Sequence, residues 1–504
     1  MNRNFTIDFT SDIHGYYSAM DYASGKAAPT GLAACAARFR KDGNSLTVDG
    51  GDNYEGSPFT YWLLRDPVAG TQVAAKIMNL AGYDFVTLGN HDFNFGKAPL
   101  EAYLKELKAT CVSANVEGVA GVQKTAVVTL ENGLRIGITG AVSHFVNQWE
   151  KPENLMGIQV NEAFSSLKEA LEDLKAQKVD VTVCIYHGGF ENDLTTGKLL
   201  SATTENQGYR ICSELDFDIL LTGHQHQGKA DLCICGTYTC QTPDKARQFA
   251  RMEVSASDGD VTAHSALLSA GTEVHPGLAE FLAPLEQENA VFLDTPLGQL
   301  DVALQPESHL EMAAKGSLIA NFFNQVQLEA SGADLSVTCL GNEVKGFDRD
   351  VTIRDVVATY VYPNTLKTIR VNRTVLKSAL ERTAEYFALD ENGTLRVSEA
   401  FLSPIVMHYN FDHMAGLDVT MDLHRPVGDR VTAMLWQGRE LTDEETLTLC
   451  LNNYRATGTG GYPLYADCEL VKDQPTEIAQ MIIEYIDHHR NITVDKHRWF
   501  HVMY

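Results

Sequence analysis

A chain of 504 residues with a formal net charge of −26 is too long for one ordinary core and too acidic to suit a polyanionic partner. Nucleic-acid polymers and anionic membranes are held through clustered Lys and Arg that release counterions, so neither is an expected partner. A small phosphate ligand stays open, because metal ions reverse the field locally.

The N-terminus passes from Met1 through a few polar residues into an apolar segment, with no room for a charged and then apolar leader. No apolar run reaches the roughly 18 residues of a membrane span. A cytoplasmic protein is expected. Ten cysteines at irregular spacing fit reduced thiols. Cys233, Cys235 and Cys240 cluster, and the alternation of Cys233 and Cys235 with apolar neighbours predicts packing in a strand.

In chain order, Phe5, Ile7 and Phe9 predict a strand leading into Asp12 and His14, followed by a helix over 29–40 with Leu32 and Phe39 on its apolar face. Leu46 and Val48 lead into Gly50, Gly51 and Asp52. A helix over 71–81 carries Val73, Ala74, Ile77, Met78 and Ala81, with Gly82 where a C-terminal cap belongs. It feeds the short apolar run Phe85, Val86, Thr87, Leu88, which ends on Gly89, Asn90, His91 and Asp92. Leu100, Tyr103, Leu104 and Leu107 predict another helix and residues 134–138 a strand. Asn161 is expected to cap a helix striped by Phe164, Leu167, Leu171 and Leu174. The strand through Val181, Val183 and Ile185 then reaches His187, and Ile219, Leu220 and Leu221 reach His224 and His226. This alternation of strand and helix is the α/β signature.

From 261 to 300 the pattern changes to a Pro-punctuated helix without ligand-type residues, read as the connection between domains. The expected division is a catalytic domain over 1–270, a linker helix over 271–300 and a second domain over 301–504. The second domain opens with the stripe Leu318, Ile319, Phe322, Phe323, Val326 and closes with Ile478, Met481, Ile482, Tyr485, Ile486.

Five apolar runs thus end in Asp, Asn and His, a thiol-free donor set that suits two divalent transition ions better than a structural zinc. Written out, the motifs are D-I-H at 12, G-D-N at 51, G-N-H-D at 89, H-G-G at 187 and G-H-Q-H at 223. In this order they resemble the calcineurin-like metallophosphoesterases. The resemblance implies a four-layer α/β/β/α sandwich in which Asp12, His14 and His226 hold one ion, Asn90, His187 and His224 the other, and Asp52 bridges them. The metals would be manganese, zinc, iron or cobalt. The implied reaction is in-line attack of a metal-bound hydroxide on phosphorus, with His91 stabilising the transition state or protonating the leaving alkoxide.

The stretches at 49–58 and 89–96 are similar to the 5'-nucleotidase family, which adds a C-terminal α/β nucleotide-binding domain. Asn94 stands where 5'-nucleotidases keep an Asp to partner the catalytic His. That Asn resembles instead the 2',3'-cyclic-nucleotide phosphodiesterases with 3'-nucleotidase activity, and Asp92 is a candidate substitute carboxylate. Residues 360–366, 409–412 with Gly416, and 452–456 look like the C-terminal signatures of that branch. The resemblance implies that the nucleobase lies between Tyr454 and Phe411, or its neighbour Tyr409, while Arg455 and Arg354 are candidates for phosphate. Gly460 replaces the Asp expected on the ribose hydroxyls. The expected substrate is a small nucleotide, a 2',3'-cyclic or 3'-phosphate, with 5'-nucleotidase or nucleotide-sugar hydrolase activity as the alternative. A nucleotide sensor without catalysis is the alternative of another class.

Overall fold

The computed structural model describes the chain apart from residues 1, 2, 23, 24, 195, 200–203, 258, 363 and 404, so Pro363 of the second-domain signature lies outside the described residues. The chain divides into two compact units, Met1–Ala290 and Val291–Tyr504.

The first unit is built on two mixed sheets. In one, Arg3–Thr10, Ser45–Asp49, Phe85–Val86 and Thr110–Val112 run parallel, and Arg3–Thr10 continues antiparallel onto Gln248–Ser257 and Asp260–Ser269. In the other, Arg135–Val142, Val181–His187 and Ile219–Thr222 run parallel. Phe5, Ile7, Phe9 and Val48 share one buried cluster with Ile136, Ile138, Val183, Ile185 and Leu221, so the two sheets face each other. The alternate residues Cys184, Tyr186 and Leu220 pack instead against Phe164, Leu167 and Leu171 of helix Ala163–Ala176. Strands buried on both faces in this way read as continuous apolar runs. Helices Pro67–Ala81 and Lys97–Glu106 cross between the parallel strands of the first sheet. The inner face is taken, so they cover the outer one, completing the four layers. Gly82 ends the first of them in the left-handed conformation, φ 79°.

The structure corrects several local readings. The helix expected over 29–40 is only Leu32–Ala36. Beyond it the backbone turns to other partners, the Arg38 carbonyl accepting from Arg251 and the Arg40 N–H donating to Asp8. Glu162 caps helix Ala163–Ala176 through the Ser165 N–H, while the Asn161 side chain accepts from Gln159. Asp260–Ser269 is an edge strand rather than the start of a connection, and Cys233 and Cys235 are exposed rather than packed. Helix Pro276–Leu293 is fastened to the first unit, where Glu286 accepts from Ser18 at 2.5 Å and Tyr22 at 2.6 Å.

The second unit centres on a five-stranded sheet in the order His413–Ala415, Leu335–Thr338, Thr446–Asn452, Thr365–Asn372, Leu470–Glu477. Four-stranded and three-stranded sheets accompany it. Leu335, Val337, Ile369, Val371, Leu449 and Leu451 join Phe411, Val419 and Met421 in its core. No helix among the described residues is long and apolar enough to cross a membrane.

Candidate metal centre and active site

Parallel strands end at one edge of their sheet, and here two facing sheets deliver their carboxyl ends to one place. The loops that follow are zipped together. Asp12 N–H donates to the Gly51 carbonyl and His14 N–H to that of Asp52, each at 2.9 Å. Five of the seven expected ligands leave the ordinary backbone regions: Asp12, His14, Asp52, His224 and His226 have φ of 56°, 50°, 57°, 68° and 58°. A non-glycine residue is rare there, and strain of this kind persists where surrounding contacts force a side chain into a working position.

Two groups of donor atoms result, each within 4.8 Å of one another: Asp12, His14 and His226, and Asp12, Asp52 and His187. His226 Nε2 lies 3.3 Å from Asp12 Oδ1, and His187 Nε2 3.1 Å from both Asp52 Oδ2 and Asn90 Oδ1. Asp12 belongs to both groups. His224 falls in neither: it donates its backbone N–H to Asp12, stacks on Trp149 at 5.4 Å, and places Nε2 3.3 Å from Glu205. The inner hydrogen bonds suit ligation. His187 Nδ1 donates to the Gly50 carbonyl at 2.6 Å and His14 Nδ1 to Glu55 at 3.1 Å, so each Nε2 turns to the carboxylates, where an ion would take the place of its proton.

Burial alone would neutralise Asp12 and Asp52, yet the imidazoles beside them prevail and hold both carboxyls below the usual carboxylate range. Against the same burial, Glu55 lifts His14 to about 9 and Asp52 lifts His187 to about 10. The pocket therefore attracts positive charge, as a cation site must.

His91 sits on the turn His91–Phe93 with its N–H on Asp52 Oδ1 at 2.8 Å and its Nδ1 2.9 Å from Asn94 Oδ1. Asn94 thus fills the place of the partner carboxylate. Asp92 does not substitute for it: its carboxylate accepts the N–H groups of Gly89, Asp52 and Asn53 at 2.8, 3.2 and 3.2 Å. It is a positioning residue that ties two ligand loops together. Burial raises it to about 6.

In the second unit, two expected ligand contacts are corrected. Phe411 is buried among Tyr386, Phe387, His413 and Phe500, with no face for a base. Arg455 is equally buried, its guanidinium on Asp412 at 2.9 Å, on the Thr459 and Tyr409 carbonyls, and over the Tyr462 ring. Arg354 pairs with Asp294 at 2.8 Å. Tyr409 and Tyr454 remain half-buried. Gly460 has a structural reason: a Cβ there would stand 2.0 Å from Arg455 Nη1 and 2.4 Å from Asn410 Oδ1. The room a sugar-binding carboxylate would need is filled by that arginine.

Comparison with known proteins agrees with this geometry. Residues 5–228 match the calcineurin-like phosphoesterase model and residues 296–467 the 5'-nucleotidase C-terminal domain. A Staphylococcus aureus protein provisionally named a 5'-nucleotidase, solved in complex with alpha-ketoglutarate, is 31% identical with a TM-score of 0.91, over 99% of this chain and 100% of that one. The chain belongs to the calcineurin-like phosphoesterases that carry a C-terminal 5'-nucleotidase domain. It is a metal-dependent phosphoesterase of that nucleotidase family. The 2',3'-cyclic-nucleotide 2'-phosphodiesterase/3'-nucleotidase of Haemophilus influenzae is 23% identical over 95% of this chain and 83% of its own length. The trifunctional nucleotide phosphoesterase protein YfkN of Bacillus subtilis is also 23% identical over 96% of this chain, which spans only 38% of that protein.

Glu55, inside the 49–58 stretch, and Trp149 and Glu150 have no role assigned by the sequence. Glu55 was open to detection, since a carboxylate close behind a bridging Asp is a natural partner for a ligand His. Trp149 and Glu150 follow no periodic pattern.

Proposed function

We propose that this chain hydrolyses 2',3'-cyclic nucleotides and 3'-nucleotides in preference to 5'-nucleotides. The observation that carries the reading is that Asn94 and Gly460 occupy the two positions where the resembled 5'-nucleotidases keep carboxylates. An amide partners His91, and Arg455 fills the space at Gly460. A ribose bearing a 2',3'-cyclic phosphate has no free vicinal diol to be met there. The printed activity of the Haemophilus influenzae relative supports the same choice.

The donor set fits two divalent ions, which when bound neutralise phosphate oxygens and lower the pKa of water. The chain's own part is to hold the ligands through left-handed loops, to keep His91 against the reacting phosphate, and to offer an aromatic face to the base. His91, its Nδ1–H held by Asn94, points Nε2 away from that bond, and the protonated ring donates from Nε2 to the phosphoryl group or the departing oxygen. Tyr454 is the proposed platform, and base stacking of this kind is worth about 1–3 kcal/mol.

The test is a panel of 2',3'-cyclic AMP, 3'-AMP, 5'-AMP, a UDP-sugar and a baseless aryl phosphate ester, assayed after metal removal and again with manganese, zinc, iron or cobalt restored. The cyclic and 3'-nucleotides should give the highest kcat/KM, and Tyr454→Ala should weaken them while sparing the aryl ester. A clear preference for 5'-AMP or the UDP-sugar would overturn the reading, and full activity in strong chelator would remove the two-ion basis.

A further inference from the structure

An amide beside a histidine can turn either its oxygen or its NH2 to the ring, and its far side decides which. The far side of Asn94 meets Glu150, just beyond helix Val146–Trp149, with Asn94 Nδ2 donating to Glu150 Oε2. An ionised carboxylate only accepts, so Asn94 Oδ1 faces His91 and His91 Nδ1 carries the hydrogen. Glu150 is itself held. Its Oε1 accepts the Lys151 N–H at 2.7 Å and Asn154 Nδ2 at 2.9 Å, and that Asn154 nitrogen also donates to the Asn94 carbonyl at 2.6 Å. The other nearby carboxylate, Glu55, stands 3.6 Å from His91 Nδ1 and accepts its hydrogen bond from His14.

We propose that Glu150 is the positioning carboxylate of His91, acting through Asn94 as a one-amide bridge that fixes the ring's tautomer and direction. The inference rests on His91 acting at the phosphoryl centre. It adds a residue, on a loop remote in sequence, that supplies a carboxylate charge behind the amide partner of His91.

The chain of donors and acceptors has one polarity from end to end, which makes exchange the decisive experiment. Glutamine at 150 has a single oxygen, claimed by the Lys151 N–H and Asn154. Its NH2 then meets the NH2 of Asn94, which turns over and offers His91 a donor. Aspartate at 94 alone opposes two carboxylates. Together, Asn94→Asp and Glu150→Gln restore every donor to an acceptor: Gln donates to Asp, and Asp accepts from His91.

Each single variant should lower kcat for an aryl phosphate ester about tenfold or more, with KM and bound metal unchanged, and the double variant should recover to within a few-fold of the parent. Wild-type kcat in Glu150→Gln, metal loss in the single variants, or a double variant as poor as the product of the singles would overturn the proposal. The tautomer is read without turnover from histidine 15N shifts, assigned with His91→Ala: Nδ1–H in the parent, lost in Glu150→Gln. A parent signal protonated on Nε2 alone would overturn it even if no phosphoester were turned over, while an inactive parent with the expected tautomer would refute the hydrolase reading instead.

Discussion

At the scale of single residues, the site separates side chains that hold ions from those that act beside them. His91 is close to the ligands yet joins the cluster through its backbone N–H on Asp52, while its ring points to Asn94. Removing the ring therefore leaves the backbone contact in place. His91→Ala should cut turnover by about 10² or more, the range of general-acid and electrostatic effects, with the metal content of the parent. Metal analysis alongside kcat checks this, and loss of both together would make His91 structural. Arg455 shows the opposite lesson. Its sequence context allowed a phosphate contact, but its partner Asp412 lies forty-three positions away in the chain, and only the fold shows the charge already matched. Phe411 was undecided for a similar reason, since an aromatic beside a strand offers no local sign of which face it turns to the core.

At the scale of elements, catalysis depends on how closely the loops after three parallel strands approach. A Cβ on Gly89 would lie 2.1 Å from Asp52 Oδ1 and 2.4 Å from Asp52 N, and one on Gly51 would lie 2.2 Å from Gly89 N. Neither loop can yield without moving Asp52. Gly89→Ala should therefore displace that carboxylate, lowering bound metal below two ions per chain and turnover with it, at a stability loss of about 1–3 kcal/mol from overpacking. Two retained ions with parental turnover would show that the loops adjust. The strand ends themselves were legible because burial on both faces writes a continuous apolar run, and a polar cluster directly after such a run has nowhere else to go. The left-handed turns at Asp12, His14 and Asp52 were not legible, because they follow from hydrogen bonds between loops distant in sequence. The edge strand Asp260–Ser269 was missed because one of its faces is largely exposed, which leaves a mixed pattern instead of an apolar run. The loop bearing Glu150 has no periodicity to read at all.

At the scale of the whole molecule, the second unit buries His413 and half-buries His408 with no charged partner among the described residues. Burial pushes His413 down to about 3 and His408 down to about 4, the neighbouring His309 adding to both, with His309 stacked on His408 at 4.2 Å. Unfolded, each would titrate near 6.5. Between those values the unfolded chain binds protons that the folded one refuses, so stability falls as pH falls below 6.5 and continues to fall until about 3 to 4. His413 alone, at pH 5, accounts for one and a half units below its unfolded value, a loss of about 2 kcal/mol. The carboxylates of the first unit also titrate in acid, so the total slope does not isolate this group, but a variant does. His413→Leu keeps an apolar side chain in the same core and cannot take up a proton. Its free energy of unfolding, measured in urea and read by hydrogen exchange within the second unit, should gain about 2 kcal/mol on the parent between pH 7 and pH 5. A constant difference between the two proteins across that range would mean that His413 is protonated in the folded chain and that the unit has another means of housing its charge.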